Sequence, residues 1–265
     1  MLTTLDPVAF LYGTLVGLAV GLTGIGSVFA VPFLVYGLGL GPHVAVCVSM
    51  AAIAAMALVV SMGKSRMKLI EIRVGTAVPT GGAVGAPAGV WLNKQLSPNL
   101  LLVLFAVLAA VIGLWTLFSG KASEGNGAQS LSLPQAGLQS ISAQLTLMIL
   151  VGLIAVVLSG MLGVGGGFFI IPALLFFGGL EIHAAIATSL PVVVLISAVA
   201  MTGHLIAGQR PSLGLIALFA AGGVVGVELG SRLGRRLDRS KLQRVFGVAV
   251  LAISMLIGLR NLHGI

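Results

Sequence analysis

Two short glycine-rich motifs, each ahead of a proline, are the part of this sequence best suited to binding chemistry. Thr23 to Ser27 reads T-G-I-G-S, and Gly163 to Gly167 reads G-V-G-G-G. Both lie in strongly apolar surroundings, where unwound backbone must be buried in protein or line a wet cavity, because its amides have no water to bond. Helices that begin after the two breaks would direct free N–H groups and positive dipole ends toward a common centre. The motifs therefore predict an anion site.

Hydroxyl groups in two later apolar segments could complete this site by donating hydrogen bonds to an oxyanion. The predicted substrate-binding residues are Thr23, Gly24, Gly26, Ser27, Ser49, Gly163, Gly165, Gly166, Gly167, Thr188 and Ser189. Two simpler explanations stay open: the glycines only let helices pack closely, and the hydroxyls only bond carbonyls of their own helices. The tight spacing of the glycines and their repetition at matched positions favour binding.

Four ionisable side chains are candidates for exchanging a proton or attracting an anion. They are His43, His183, His204 and Lys64. A histidine near a membrane surface can titrate near neutral pH. The alternative is that each histidine only makes an interfacial hydrogen bond.

The composition identifies the surroundings of these residues as lipid. The mean hydropathy is +1.17 and only 8% of the 265 residues are charged, whereas a water-soluble domain needs about a quarter. No charged residue occurs between Glu124 and Glu181. Outer-membrane barrels alternate apolar and polar positions, and no segment here does so. We therefore predict an all-α, polytopic membrane protein.

The net charge of +8 does not indicate a nucleic-acid partner, because the basic residues cluster in two short loops, as membrane topology requires. Cys47 is the single cysteine, which excludes disulfides and a thiolate metal cluster. No carboxylate or histidine set has the spacing of metal ligands. We predict a lipid bilayer around the chain, with no nucleic acid, metal or cofactor; the oligomeric state stays open.

The chain aligns with itself at an offset of 140, without gaps from about Leu18 to Gly63. This duplication predicts a first repeat over 1–118, a polar linker over 119–142 and a second repeat over 143–265. Each repeat should hold five helical segments, which in the first are Val8 to Leu22, Val28 to Gly37, Val44 to Met62, Val74 to Leu92 and Leu100 to Phe118. The first two segments are short, and they are predicted to be glycine-broken half-helices or re-entrant hairpins.

Positive charge predicts how the repeats face. The loop after the third segment has four basic residues between Lys64 and Arg73 in the first repeat, but only Arg210 in the second. The loop after the fourth segment has only Lys94 in the first repeat, but five basic residues between Arg232 and Lys241 in the second. If both basic loops are cytoplasmic, the two repeats have inverted topology. The linker is then inside and both termini are outside.

The second-half pattern, G-x-G-G-G before a proline and then H-A-A-I-A-T-S-L, resembles the sulfite exporter TauE/SafE family, also called the 4-toluenesulfonate uptake permeases. The matching residues are Gly163 to Pro172 and Ala187 to Leu190, and the first half carries a degenerate copy in Thr23 to Ser27. The resemblance implies transport of sulfite, a sulfonate or a related organosulfur anion across the inner membrane, coupled to an ion gradient such as protons. It does not imply a direction.

The resulting hypothesis is a multi-pass secondary transporter of the inner membrane that works by alternating access and is not an enzyme. No Gly-x-x-x-x-Gly-Lys-[Ser/Thr] motif for ATP occurs in the sequence. Two alternatives stay open. A membrane-embedded enzyme would need a nucleophile, metal or carboxylate cluster near the midplane. A passive anion channel or assembly factor would show no saturable binding.

Overall fold

The computed structural model describes residues 5–24, 26–64, 85, 87–119, 141–166, 170, 182–234 and 239–262, and regular structure in these ranges is helical throughout. In chain order the helices are α1 Leu5–Thr23, α2 Gly26–Gly37, α3 Pro42–Lys64, α4 87–95, α5 Pro98–Ser119, α6 Ile141–Leu162, α7 Ile182–Ile206, α8 Leu213–Gly234 and α9 Arg239–Leu262. The prediction of an all-α protein is confirmed. Most of the predicted linker and the second-half counterpart of α2 lie outside the described residues.

Three described stretches are long and apolar enough to cross a bilayer: Pro42–Met62, Thr188–Ile206 and Leu213–Gly234. The last has 22 residues, about 33 Å at a rise of 1.5 Å per residue, against about 30 Å of hydrocarbon. Shorter apolar helical stretches are Pro7–Thr23, Gly26–Gly37, Pro98–Leu114 and Gly152–Leu162. Large apolar side chains are exposed on the outer faces of several helices, as contact with lipid requires.

Helices α1 and α2 form a hairpin. Gly24, with φ of 78°, ends α1, and α2 then runs back so that Gly26 packs on Ala19 and the Phe33 ring stacks on Tyr12 at 5.3 Å. The helix begins as a tight 3₁₀ turn and changes to π winding directly after Pro32, which has no N–H to donate. At about 18 Å for its twelve residues, α2 is too short to cross a bilayer.

Glycines bring α1 and α8 into backbone contact. A Cβ added to Gly13, Gly17 or Gly21 would overlap the carbonyl oxygens of Phe219, Gly223 and Val227, respectively. Since the partner advances by four residues whenever the glycine does, the two helices run parallel. Small residues at such a contact allow dispersion forces to hold helices together where lipid removes the hydrophobic drive.

A second parallel contact joins α4 to α6. A Cβ on Gly89 would overlap the carbonyl oxygen of Val157, while Gly85, just before α4, faces Leu153. Both partners again advance by four residues. The contact fixes the end of α4 beside the end of α6.

Helices α5 and α9 pack in opposite directions. Gly113 of α5 lies against Leu251 of α9, and Gly247 of α9 lies against Leu117 of α5. As α5 advances from 113 to 117, its neighbour on α9 steps back from 251 to 247. The two helices are therefore antiparallel.

Helix α3 lies in the protein interior, against α7 and α8. Every residue from Ala45 to Ile53 is buried, including Cys47. A helix that is apolar on all sides is surrounded either by protein or by lipid, and the burial of these residues shows that protein surrounds this part. Its first half therefore forms a wall inside the helical bundle.

The α1–α8 contact predicts a position-dependent effect of alanine on stability. On α8, Gly222→Ala would place a Cβ on the carbonyl of Phe10, whereas a Cβ on Gly214 would meet only Ser212 Oγ, at an ordinary contact distance of 3.7 Å. Gly222→Ala should lower the free energy of unfolding by about 1–3 kcal/mol through overpacking. Gly214→Ala should be neutral or stabilising by up to about 1 kcal/mol, because alanine favours helix over glycine. Unfolding in detergent micelles measures both, and equal effects would contradict the close contact.

Candidate functional site

The second glycine motif is a buried break in the chain after α6. All residues from Met161 to Gly166 are buried, and Gly163, Gly165 and Gly166 have φ of 75°, 76° and 68°. Residues other than glycine rarely adopt this left-handed backbone conformation. Space is also short, since a Cβ on Gly163 would lie 2.6 Å from Ser49 Oγ and one on Gly165 would lie 2.5 Å from Ile53 Cγ2. Backbone conformation and close packing both require these glycines.

The break lies at the level of the middle of α3. Its neighbour Ile53 is the twelfth residue of a helix of 23 that starts at Pro42. Eleven steps of 1.5 Å put Ile53 about 16 Å along that helix, close to half the hydrocarbon thickness. Unwound backbone at this depth must find its hydrogen-bond partners within the protein or in bound molecules.

Side chains from four different helices donate hydrogen bonds to the carbonyl oxygens of the break. The bonds are His204 Nε2 to Gly160 O at 3.0 Å, Asn93 Nδ2 to Met161 O at 2.7 Å, Ser49 Oγ to Gly163 O at 2.8 Å and Ser27 Oγ to Val164 O at 2.8 Å. The last carbonyls of a helix have no partner within the helix. Here α7, α4, α3 and α2 supply the partners, so the tertiary fold fixes the geometry of the break.

Most N–H groups of the same turn, unlike its carbonyl groups, have no hydrogen-bond partner among the described residues. Gly163 N–H donates to Ser159 O at 2.8 Å, but those of Val164, Gly165 and Gly166 meet no acceptor in the part of the chain that the structure describes. Buried amides without partners are rare in proteins. Successive N–H groups in a turn of this kind form a concavity that binds anions. The break therefore presents donors without acceptors to a ligand.

The first glycine motif meets the second through Ser27 but is built differently. Thr23 Oγ1 donates to Ala19 O at 2.8 Å, and Gly24 N–H donates to Val20 O at 2.7 Å, which closes α1 with a left-handed cap. Gly24 is exposed, and no atom lies within 4 Å of where its Cβ would be. Gly26 is buried against α1. This turn bonds mostly to its own helix.

The structure brings several predicted site residues into the interior, and it does not describe others. Ser49 is fully buried and also donates to Val46 O at 2.8 Å, and Thr188 and Ser189 are buried on α7. Gly167 lies outside the described residues. His183 is in the first turn of α7 and Lys64 is the last residue of α3, but their side chains lie outside the described part.

Two predicted ionisable residues have defined partners. His43 Nδ1 lies 2.8 Å from Asn93 Oδ1, and because Asn93 uses its Nδ2 on Met161, the oxygen must accept and His43 Nδ1 must carry the proton. His204 is fully buried and its Nε2–H donates to Gly160 O. The charged pair Glu228 and Arg232 is exposed, with Arg232 Nε 2.7 Å from the carboxylate, as an ordinary helical ion pair.

Asn93 and Ser159 are polar residues of the break that sequence reasoning missed. Asn93 is fully buried, yet it directly follows an apolar run and precedes Lys94, so the sequence reads there as a loop. Ser159 is also fully buried, within the apolar run before the glycine motif. A signal for Ser159 exists in the duplication, because the offset of 140 pairs this polar residue with Ala19.

Comparison with known proteins gives a consistent result over almost the whole chain. The profile of the family described as Sulfite exporter TauE/SafE matches residues 9–257. A "Probable membrane transporter protein" from each of two strains of Xylella fastidiosa is 32% identical over 250 residues, 92% of this chain and 91% of theirs. The "Probable membrane transporter protein YunE" of Bacillus subtilis is 24% identical over 269 residues, covering 99% and 97%. No solved structure matches significantly.

The two left-handed glycines at 24 and 163 predict different costs for the same substitution. Both have φ near 75°, but only Gly163 is crowded, by Ser49, Val31 and Val46. Gly24→Ala should cost about 1–2 kcal/mol, from backbone strain alone. Gly163→Ala should cost about 2–5 kcal/mol, because overpacking adds to that strain. Thermal and denaturant unfolding of the purified variants measures the difference, and its absence would mean that the break is not packed against α3.

Proposed function

The chain belongs to the sulfite exporter TauE/SafE family, and we propose that it is a secondary transporter that moves sulfite, a sulfonate or a related organosulfur anion across the inner membrane. The family and its relatives support a membrane transporter. The choice of a sulfur oxyanion rests on the family description together with the chemistry of the break after α6.

The donor-only character of that break is the observation that carries the proposal. Val164, Gly165 and Gly166 offer N–H groups for which the described residues provide no acceptor. A deprotonated sulfite or sulfonate group has several oxygen atoms, and all of them accept hydrogen bonds while none donates one. Hydrogen bonds to charged groups are stronger than those between neutral groups, and more so away from water. The anion supplies what the buried amides lack.

The residues of the proposed site have two kinds of role. Gly163, Gly165 and Gly166 expose backbone to the anion, and we extend this role to Gly167, Gly24 and Gly26 from the motif. Ser27 Oγ donates its one proton to Val164 O, and Ser49 Oγ lies 2.8 Å from both Gly163 O and Val46 O, which share its one proton, so we assign both residues to positioning the turn. Thr23, Thr188 and Ser189 complete the proposed set.

Alternating access between two inverted repeats is the proposed mechanism. The fifth helices of the two repeats, α5 and α9, run antiparallel, as elements related by inverted topology must. The first helix of each repeat runs parallel to the fourth helix of the other, α1 with α8 and α6 with α4. This exchange supports the inversion that the basic loops predict. Motion of one repeat against the other would open the break to each side in turn.

Coupling to an ion gradient, with protons as the proposed ion, is assigned to residues beside the break. His204 bonds Gly160 O, and His43 acts on Met161 O through Asn93. A change in the charge of either histidine would therefore act on the end of α6. His183 and Lys64 are proposed to attract the anion at the ends of α7 and α3.

A passive anion channel and a membrane-embedded enzyme are the competing functions. A channel predicts flux that does not saturate and no acceleration of labelled uptake by unlabelled anion inside the vesicle. An enzyme predicts chemical conversion of the anion, which product analysis detects. The names of the relatives favour transport over both.

The test is saturable counterflow of labelled sulfite and of a panel of sulfonates in proteoliposomes. Wild-type protein should accelerate uptake when unlabelled anion is inside, and Gly166→Ala should reduce this flux by about tenfold or more. The alanine methyl would lie 3.3 Å from Ser159 Oγ and Ile170 Cδ1 and take space beside the free amides.

Gly39→Ala is the matched control for that test. Gly39 has the same left-handed backbone, with φ of 67°, but no atom lies within 4 Å of its Cβ position. Its flux should stay close to the wild-type value. Equal losses in both variants would show that backbone strain, and not the anion site, limits the flux; absence of counterflow in wild-type protein would reject the transporter.

A further inference from the structure

Ser159 is a buried hydroxyl that the fold itself does not use. Its side chain is fully buried at the end of α6, and its Oγ has no hydrogen-bond partner among the described residues. Ser197 Oγ on α7 is likewise without a partner among the described residues. By contrast, Thr116 and Ser254 each donate to the carbonyl four residues earlier, at 2.8 Å. That bond is the ordinary solution for serine and threonine in a membrane helix. At Ser159 the donor is left free.

The Ser159 hydroxyl faces the glycine break. Its Oγ lies 3.3 Å from the position that a Cβ on Gly166 would occupy, and Ile170 Cδ1 lies 3.3 Å from the same point. Because Gly166 has no side chain, the space between Ser159 Oγ and Ile170 Cδ1 is bounded by the Gly166 backbone. The free hydroxyl thus lies beside the backbone of Gly166, whose N–H has no acceptor among the described residues, and the apolar Ile170 side chain borders the same point.

The duplication provides an internal comparison for this residue. At an offset of 140, Ser159 corresponds to Ala19, and Gly166 corresponds to Gly26. The corresponding pair is also in contact, because the Cβ position of Gly26 lies 2.6 Å from Ala19 Cβ and even closer to the Ala19 backbone. The helix before the break therefore tolerates alanine at this position. The hydroxyl is an addition that only the second repeat carries.

We infer that Ser159 is a substrate-binding residue whose hydroxyl donates a hydrogen bond to an oxygen of the anion held by the amides of Gly165 and Gly166. The inference rests on the proposed function and adds to it a side-chain donor. A free hydroxyl donor next to free amides suits an oxygen that accepts hydrogen bonds.

The experiment compares Ser159→Ala and Ser159→Cys with wild-type protein in counterflow and in thermal unfolding, each with sulfite and with sulfonates as probes. Both variants should raise KM by roughly ten- to a hundredfold, the loss expected for one hydrogen bond to a charged group. The cysteine thiol has nearly the same shape as the serine hydroxyl but is a weak donor. If Ser159→Cys weakens binding as much as Ser159→Ala does, the lost hydrogen bond and not a change in packing is the cause. The melting temperature without anion should stay the same or rise, since an unbonded buried hydroxyl is removed. The added stability from anion should shrink.

Ser254→Ala is the matched control, because it removes a buried serine hydroxyl that is bonded within its own helix. It should lower the melting temperature without anion and leave KM unchanged. If Ser159→Ala instead lowers the melting temperature and leaves KM unchanged while wild-type protein still transports, Ser159 is structural and only this inference fails. If wild-type protein shows neither counterflow nor stabilisation with any probe, the proposed function fails with it.

Discussion

The need to satisfy backbone hydrogen bonds inside an apolar bundle is the constraint on which the rest of this structure depends. Helices meet it internally, so the difficulty is concentrated where α6 stops, at Gly163–Gly166. The carbonyl groups there are bonded by side chains of α2, α3, α4 and α7. Each of these helices must therefore hold its position and its polar residue for the break to exist. The contacts that hold these helices together therefore also fix the geometry of the break.

The duplicated motifs have taken different forms under this constraint. In the first, Gly24 closes α1 with a local cap and is exposed at the surface of the protein. In the second, the chain is buried from Met161 to Gly166 and bonds mainly to other helices. Ser27 joins them by donating to Val164 O. The first motif thus supports the second, and the proposed anion site is not divided equally between the two halves of the chain.

Much of this arrangement follows from sequence, and the remainder depends on tertiary contacts. Hydropathy predicts the helices, and glycine runs in apolar surroundings predict the break, because both are local properties of the chain. Ser49 is predictable as a buried hydroxyl near the site. Its donation to Gly163 O is not, since the direction of a hydroxyl depends on which backbone lies opposite it. Asn93 is harder still, because its two partners, His43 and Met161, come from distant parts of the chain.

The side chains that the structure places against Gly163, Gly165 and Gly166 include no lysine or arginine among the described residues, and this has consequences for energetics. A buried cation would bind an anion strongly but would be left unpaired in the empty site, at a cost of several kcal/mol. Neutral amides avoid that cost, so the empty and loaded states can differ little in free energy, as turnover requires. The anion's charge then stays uncompensated by the site itself.

An uncompensated charge ties transport to the membrane potential. Moving one elementary charge across 100 mV corresponds to about 2.3 kcal/mol. Across a membrane that is negative inside, this favours export of a lone anion and opposes import by the same amount. In the proposed transporter, import is opposed unless a cation travels with the anion or a second anion leaves in exchange, and one proton per monoanion is enough to cancel the charge. His204, bonded to Gly160 O at the same helix end, is a titratable side chain placed where binding of the proton and of the anion would affect the same backbone. The direction of net flux through the proposed site thus depends on the anion gradient, the membrane potential and any coupled proton, and not on the geometry of its amides.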